Sequence, residues 1–200
     1  MTKTKATSNQ LDADELLHLA IRSSEADRHE ESLSYLKRAA ELAPKNGKIY
    51  YMLGAEHAQI GLYDRAAEEM AKAVELEPDL YTAHFQLGLL HITSARVAQA
   101  ESAWKALDGL APDHPLYLFK TGLLHLARDE FNECALNLKR GIQLNAANPA
   151  LNNDMQRILG DLEKNINSTP TSTTPAKTKL APPAHSLLSA YREHRNEDKE

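Results

Sequence analysis

The chain has 200 residues, of which 42% are hydrophobic and 6% aromatic, and its formal net charge is −5. This length allows one domain with tails, and the acidic balance argues against nucleic-acid binding, which needs a basic face. The single cysteine, Cys134, excludes an internal disulfide. The first ten residues hold no apolar run suited to a signal peptide, and no stretch of about 18 apolar residues occurs anywhere. We therefore expect a soluble cytoplasmic protein that binds neither membrane nor nucleic acid.

The first predicted element is a helix that starts after a polar N-terminal segment. Residues 1–11 are expected to be disordered, and the folded domain is expected to span residues 12–167. Asp12 followed by Glu15 predicts a capping box, in which each side chain accepts a hydrogen bond from the backbone N–H of the other residue. Apolar residues at helical spacing continue from this point.

From this point, residues of the same type recur along the chain at one constant spacing. Pro44, Pro78 and Pro112 are evenly spaced in the sequence. A column of small residues keeps the same spacing: Ala20, Gly54, Gly88 and Gly122. Small side chains at a fixed position indicate pairs of helices that cross closely, repeated along the chain. In the second block, helices are predicted at residues 49–59 and 64–75, with Gly61 between them and Asp64 as the N-cap of the second helix.

The second block carries a recognisable pattern. It contains Tyr50, Leu53-Gly54, Gly61, Tyr63, Ala66, Met70, Ala73 and Pro78. This pattern resembles the tetratricopeptide repeat (TPR) family, and it recurs in register over residues 13–46, 47–80, 81–114 and 115–148. The resemblance implies an all-α fold, a right-handed α-solenoid of four helix-turn-helix repeats. Because a stack leaves an apolar end, the amphipathic segment 149–167 is predicted to be a capping helix.

Composition changes after residue 167. Residues 168–185 are rich in Pro and Thr and are predicted to form a disordered linker. Residues 186–200 are predicted to be a short amphipathic tail, because Leu187, Leu188 and Tyr191 share one helical face. We expect that this apolar patch could dock on the same molecule or on a neighbouring copy.

The residues suited to chemistry do not form a recognisable catalytic site. His57, His91 and His125 recur with the period of the repeat, which suggests either a metal-binding ladder or a planar polar side chain in a packing position. Packing is favoured, because equivalent positions of stacked helices lie about 8–10 Å apart, too far to share one zinc ion. Cys134 is interpreted as a buried inert thiol. No nucleophile, base and orienting group can be assigned together, so we predict no enzymatic activity, no cofactor and no metal.

The TPR resemblance implies that the first helix of each pair lines a concave groove. The predicted peptide-binding residues are Leu17, Ile21, Tyr51, Ala55, Phe85, Leu89, Ile92, Phe119, Leu123 and Leu126. Two interpretations compete: these side chains pack between repeats, or they expose an apolar stripe that binds a helix or extended peptide. The second is preferred. The basic clamp by which some TPR domains hold a chaperone's C-terminal carboxylate is absent, since Leu17 and Ile21 stand at its first positions.

The sequence therefore predicts an adaptor or scaffold that binds an apolar segment of a partner protein, in the manner of a chaperone. A narrower version is a bacterial secretion chaperone. The alternative is a self-associating structural or regulatory subunit of a larger complex, with catalysis supplied by another chain.

Overall fold

The computed structural model describes residues 11–167, and within this range it consists of helices joined by short turns. The α-helices are α1 (Ala13–Glu25), α2 (His29–Leu42), α3 (Gly47–Gln59), α4 (Tyr63–Leu76), α5 (Tyr81–Thr93), α6 (Val97–Trp104), α7 (Pro115–Ala127), α8 (Phe131–Leu144) and α9 (Pro149–Asn167). A 3₁₀ helix, Lys105–Gly109, continues directly from α6. Helices α1 to α8 pack as consecutive pairs, and α9 packs on α8. The predicted fold class, an all-α solenoid of repeats, is confirmed.

Of the two helix starts predicted from the sequence, one is confirmed and the other is wrong. Asp12 and Glu15 form the predicted capping box: the Asp12 Oδ1 accepts from the Glu15 N–H at 2.8 Å, and the Glu15 Oε2 accepts from the Asp12 N–H at 2.9 Å. The predicted N-cap at Asp64 is wrong. Helix α4 already begins at Tyr63, so Asp64 lies in its first turn, and its carboxylate accepts a hydrogen bond from the Arg96 guanidinium at 3.2 Å.

The turn within each helix pair uses one residue in the left-handed region. Asp27, Gly61, Ala95 and Asp129 have φ values of 56°, 81°, 58° and 60°. They occupy the same position in successive repeats, so the same turn is built four times. Glycine adopts this conformation without cost and Asp tolerates it, whereas an alanine Cβ crowds the following carbonyl oxygen. Ala95 is therefore strained at a position where Gly61 is relaxed.

The two helices of each pair approach closely at the column of small residues. A Cβ built on Gly88 would lie 2.1 Å from the indole Nε1 of Trp104, and one on Gly54 would lie 2.8 Å from the Met70 Cγ. Neither approach leaves room for a methyl group without displacing the facing side chain. The predicted close crossing is confirmed at these positions. Trp104 also donates its Nε1–H to the backbone oxygen of Phe85 at 2.9 Å, which fixes α6 on α5.

The core is divided into two clusters that meet at α5. Ala83, Leu87 and Leu90 belong to the cluster of the first two repeats. Phe85, Leu89 and Ile92 belong to the cluster that continues through the later repeats to α9. Helix α5 is therefore buried on most of its circumference, and its polar residue Gln86 is buried as well.

The third repeat departs from the other three. Its second helix, α6, ends at Trp104 after eight residues, and the chain continues as the 3₁₀ helix. A 3₁₀ helix rises about 2.0 Å per residue, compared with about 1.5 Å in an α-helix, so the chain is stretched here. Asp108 of this segment forms an ion pair with Lys120, which is buried on α7. The join between the third and fourth repeats thus differs from the earlier joins.

The exact boundaries of the domain and its four repeats stay a prediction. The observed helix pairs fall within the four predicted blocks, and α9 coincides with the predicted cap. The proposed N-terminal segment, the linker 168–185 and the tail 186–200 lie outside the described residues, apart from Leu11.

Replacing Ala95 with Gly is expected to raise the free energy of unfolding by about 1 kcal/mol, because it removes a Cβ from a left-handed residue. The reciprocal change, Gly61→Ala, should lower it by a similar amount, although the added methyl group would contact nothing within 4 Å. Urea unfolding followed by circular dichroism measures both. Equal midpoints for wild type and Ala95→Gly would contradict the assigned turn.

Candidate functional site

The ten residues predicted to line a concave groove are buried. They are Leu17, Ile21, Tyr51, Ala55, Phe85, Leu89, Ile92, Phe119, Leu123 and Leu126, and none exposes more than 9% of its surface. All ten belong to the two core clusters. The expectation that they form an exposed apolar stripe is therefore wrong for this structure. Whether they contact a partner peptide stays a prediction.

Packing within and between repeats explains this burial for the aromatic members. A Cβ on Gly141 of α8 would lie 2.5 Å from the ring of Phe119, so Phe119 packs directly on the second helix of its own pair. Phe85 stacks on Trp104, with 6.0 Å between ring centroids, and meets Phe119 at 6.3 Å. The absence of a side chain at Gly141 lets the ring turn inward, away from solvent.

The structure instead shows a cleft where the third repeat, the fourth repeat and α9 meet. Its volume is about 560 Å³. It is bounded by the start of α5, the segment that leads into α7, and the turn between α8 and α9. The large apolar side chains that line it are Tyr81, Phe85, Leu110, Leu116, Leu144 and Leu151. Leu144 is 47% exposed, which places part of this apolar wall in contact with solvent.

Two polar atoms at the cleft have no hydrogen-bond partner. Gln86 is 1% exposed, and its Oε1 is buried without a donor; the Oγ1 of Thr82, one helical turn earlier, is in the same condition. Both residues line the cleft. A buried acceptor without a donor costs about 1–3 kcal/mol, so most such atoms in folded proteins are paired. Both oxygens are closed to solvent in this conformation of the cleft, so a ligand in the cleft does not reach them.

His114 fixes the start of α7 at the edge of the cleft. Its Nδ1 accepts a hydrogen bond from the backbone N–H of Leu116 at 3.2 Å, so the neutral ring carries its proton on Nε2. Burial lowers the pKa of His114 below its usual 6.5, and the nearby Asp113 carboxylate only partly opposes this. Near pH 7 the imidazole is therefore uncharged.

The floor of the cleft is held by an asparagine network between α8 and α9. The Asn145 amide Nδ2 donates to the Asn148 backbone oxygen at 3.0 Å and to the Asn152 Oδ1 at 2.8 Å. Asn148 accepts from the Leu151 N–H at 2.8 Å and so caps α9. These bonds fix the position of Leu151 against the cleft. These hydrogen bonds between asparagines therefore hold the floor of the cleft in place without a ligand.

The lining of the cleft carries no formal charge at neutral pH. Among the described residues that line it, there is no Lys, Arg, Asp or Glu. Because an apolar wall without a counter-charge disfavours burial of an ion, the cleft selects against charged ligand groups. Its chemistry suits an uncharged apolar ligand.

The repeated histidines take different positions in the structure. His57 is buried with its Nδ1 unpaired, and burial, then the Arg65 and Lys37 charges, lowers its pKa. Burial also lowers the pKa of His91, while His125 pairs with Glu130. Over the part of the chain that the structure describes, no three His, Cys, Asp or Glu side chains are grouped as metal ligands.

Cys134 is fully buried in α8. Burial raises the pKa of its thiol to about 12, so the thiolate needed for nucleophilic chemistry is scarce at neutral pH. The interpretation of an inert structural thiol agrees with this environment.

Sequence reasoning missed the cleft, although it left two signals. Gln86 interrupts the apolar run of α5, where a buried polar side chain needs a partner. The segment Asn145-Ala-Ala-Asn148-Pro149 marks a capped helix start after α8. Neither signal shows that these segments meet, because they are far apart in the sequence and come together only through the stacking of repeats.

Comparison with known proteins agrees with the fold. The family described as "Tetratricopeptide repeat" matches residues 47–80. No curated protein sequence shows a significant match. The match covers one repeat, residues 47–80, and the helix pairs before and after it have the same architecture.

Three solved structures share this architecture. A crystal structure of MamA is 19% identical with a TM-score of 0.57, and the match covers 66% of this chain and 78% of that one. MamA from residue 41 to its end, from Desulfovibrio magneticus RS-1, is 19% identical with a TM-score of 0.59, over 94% and 97%. A structure described as "MamA RS-1 ArsTM double mutant" is 18% identical with a TM-score of 0.59, and the match covers 94% of this chain and 97% of that one. At these identities the similarity concerns the fold.

Two further findings bear on the class of protein. The repeats support a protein–protein interaction scaffold, a role for which TPR folds are typically used without catalysis. Within residues 11–167, none of the helices combines the length and apolar character that a bilayer crossing requires.

Replacing His114 with Asn is expected to reduce the pH dependence of stability. Because the pKa of His114 is lowered in the folded state, its neutral form contributes stability above about pH 6.5, and this contribution is lost as pH falls below that value. Asn keeps an N-cap acceptor but does not titrate. Thermal unfolding between pH 8 and pH 5 should show a smaller loss for the variant. Parallel losses in both proteins would contradict the assigned role of His114.

Proposed function

We propose that this protein is a scaffold that binds an uncharged apolar segment of a partner protein in the cleft between the third repeat, the fourth repeat and α9. The observation that carries the proposal is the uncharged, largely apolar wall of the cleft, in which Leu144 is 47% exposed. A polypeptide segment with apolar side chains suits such a wall.

The dimensions and composition of the cleft support this choice. A volume of about 560 Å³ falls within the range of about 300–1,000 Å³ typical of ligand pockets, enough for a few side chains rather than a whole domain. The uncharged lining favours Leu-, Met- or aromatic-type anchors over acidic or basic ones. The ligand would contact Leu116 and Leu144.

The same proposal includes the finer expectations from the sequence. The protein would act as an adaptor, or as a chaperone that shields an apolar segment, in the cytoplasm and without catalysing a reaction. Of the ten predicted groove residues, Phe85 lines the cleft; contact between the others and a ligand stays a prediction. Self-association as a structural or regulatory subunit is the alternative, and mass photometry would reveal it.

A phage library of random peptides, selected on the full chain, tests the proposal. We expect the selected peptides to be apolar and uncharged. Leu144→Lys should weaken their binding at least about tenfold, on the order of 1.4 kcal/mol, because it places an unpaired charge beside the ligand. Leu116→Ala should weaken binding about fivefold, on the order of 1 kcal/mol, because it removes an apolar contact with the ligand. Fluorescence anisotropy measures both.

Leu62→Lys is the matched control. Leu62 is 50% exposed, close to the 47% of Leu144, but it lies between α3 and α4, away from the cleft. It should change binding less than twofold. If Leu62→Lys and Leu144→Lys weaken binding equally, or if the library yields only charged peptides, the cleft is not the binding site.

A further inference from the structure

One segment outside the described residues has the uncharged, apolar side chains that suit the cleft. Residues 180–191 contain no Lys, Arg, Asp or Glu, and they include Leu187, Leu188 and Tyr191. We propose that residues 184–191 of the same chain bind in the cleft and compete with the partner segment. This inference rests on the proposed function, because it uses the same cleft. It adds an internal ligand that competes with the partner for this cleft.

The match is one of charge and apolar character. The cleft lining is uncharged, and the segment is uncharged until Arg192. Leu187, Leu188 and Tyr191 offer apolar side chains to the leucines that line the cleft. By contrast, residues 1–10 carry lysines, and residues 168–176 have no large apolar side chain. Of the sequence outside the described residues, 184–191 therefore fits the cleft best.

The length of the chain permits this contact. Leu151 of α9 lines the cleft, and the helix ends at Asn167, about 24 Å away along its axis. The segment from residue 168 to residue 186 can span up to about 63–68 Å when fully extended. The chain can thus return along α9 and place Leu187 and Leu188 at the cleft.

Attachment to the same molecule makes weak binding sufficient. A tethered ligand of this kind has an effective concentration on the order of 1 mM. If the free segment bound with a dissociation constant of about 100 µM, its presence would lower the apparent affinity for a partner about tenfold. A partner with a stronger anchor would displace it, so the segment would set a threshold for binding.

Nuclear magnetic resonance of the full chain tests the proposal. The probes are the side-chain amide of Gln86 and the backbone amides of Thr82 and Leu116. The double substitution Leu187→Asp and Leu188→Asp should shift all three, because it removes the apolar ligand from the cleft. A synthetic peptide of residues 184–191, added to this variant, should move the shifts back toward those of wild type. Thr171→Asp with Thr173→Asp, which adds the same charge outside the segment, should leave them unchanged.

Binding of the library-selected peptides gives the second measurement. The Leu187→Asp and Leu188→Asp variant should bind them several-fold more tightly than wild type does. Unchanged cleft resonances in the double variant, or equal shifts in the Thr171→Asp and Thr173→Asp control, would overturn the proposal. Shifts that depend on protein concentration across a dilution series would also overturn it, because they would indicate a segment from another copy.

The two proposals fail separately. Peptides that bind the cleft equally well in wild type and in the double variant would remove the internal ligand and leave the scaffold function. Cleft shifts that respond to residues 187 and 188, in a protein for which the library yields no binder, would support the internal ligand and remove the partner proposal.

Discussion

The close crossing of two helices within each repeat is the contact on which the rest of the structure depends. It is possible because one position of each first helix is Ala or Gly, and in the third repeat Gly88 lies directly against the indole of Trp104. Trp104 then donates its Nε1–H to the backbone oxygen of Phe85. This bond holds α6 against α5 at Phe85. Phe85 and its neighbour Gln86 line the cleft. The geometry of the candidate site is therefore a consequence of repeat packing.

The same packing moves the candidate site away from the concave face. Phe85 and Phe119 turn inward because a partner helix offers Trp104 in one pair and the bare backbone of Gly141 in the other. Helix α5 serves both core clusters and leaves little apolar surface free. Part of the apolar surface that stays open lies at the join of the last two repeats with α9, where α6 is followed by a 3₁₀ helix and Leu144 remains half exposed.

Local and periodic features could be predicted from the sequence. The spacing of Gly54 and Gly88 predicted the close crossings, and the pair Asp12 and Glu15 predicted its capping box, because each depends on neighbouring residues or on one repeated contact. The N-cap at Asp64 was wrong, since α4 begins at Tyr63 and the residue at its N-cap position is Leu62. Exposure of the groove residues was also wrong, because burial depends on how far neighbouring pairs overlap. The cleft forms where three segments that are far apart in the sequence meet. The sequence pattern does not show which distant segments come together.

The central claim is that the cleft beside Leu144 binds an uncharged apolar polypeptide segment. Photocrosslinking tests it most directly: benzoylphenylalanine replaces Leu144 in the full chain, or Leu62 in the control, and mass spectrometry maps the products formed on illumination with a selected peptide. The account predicts that position 144 crosslinks to that peptide or to residues 184–191, that Leu116→Ala reduces the yield, and that position 62 gives neither product. Equal products from positions 62 and 144, or crosslinks from position 144 only to charged segments, would contradict it.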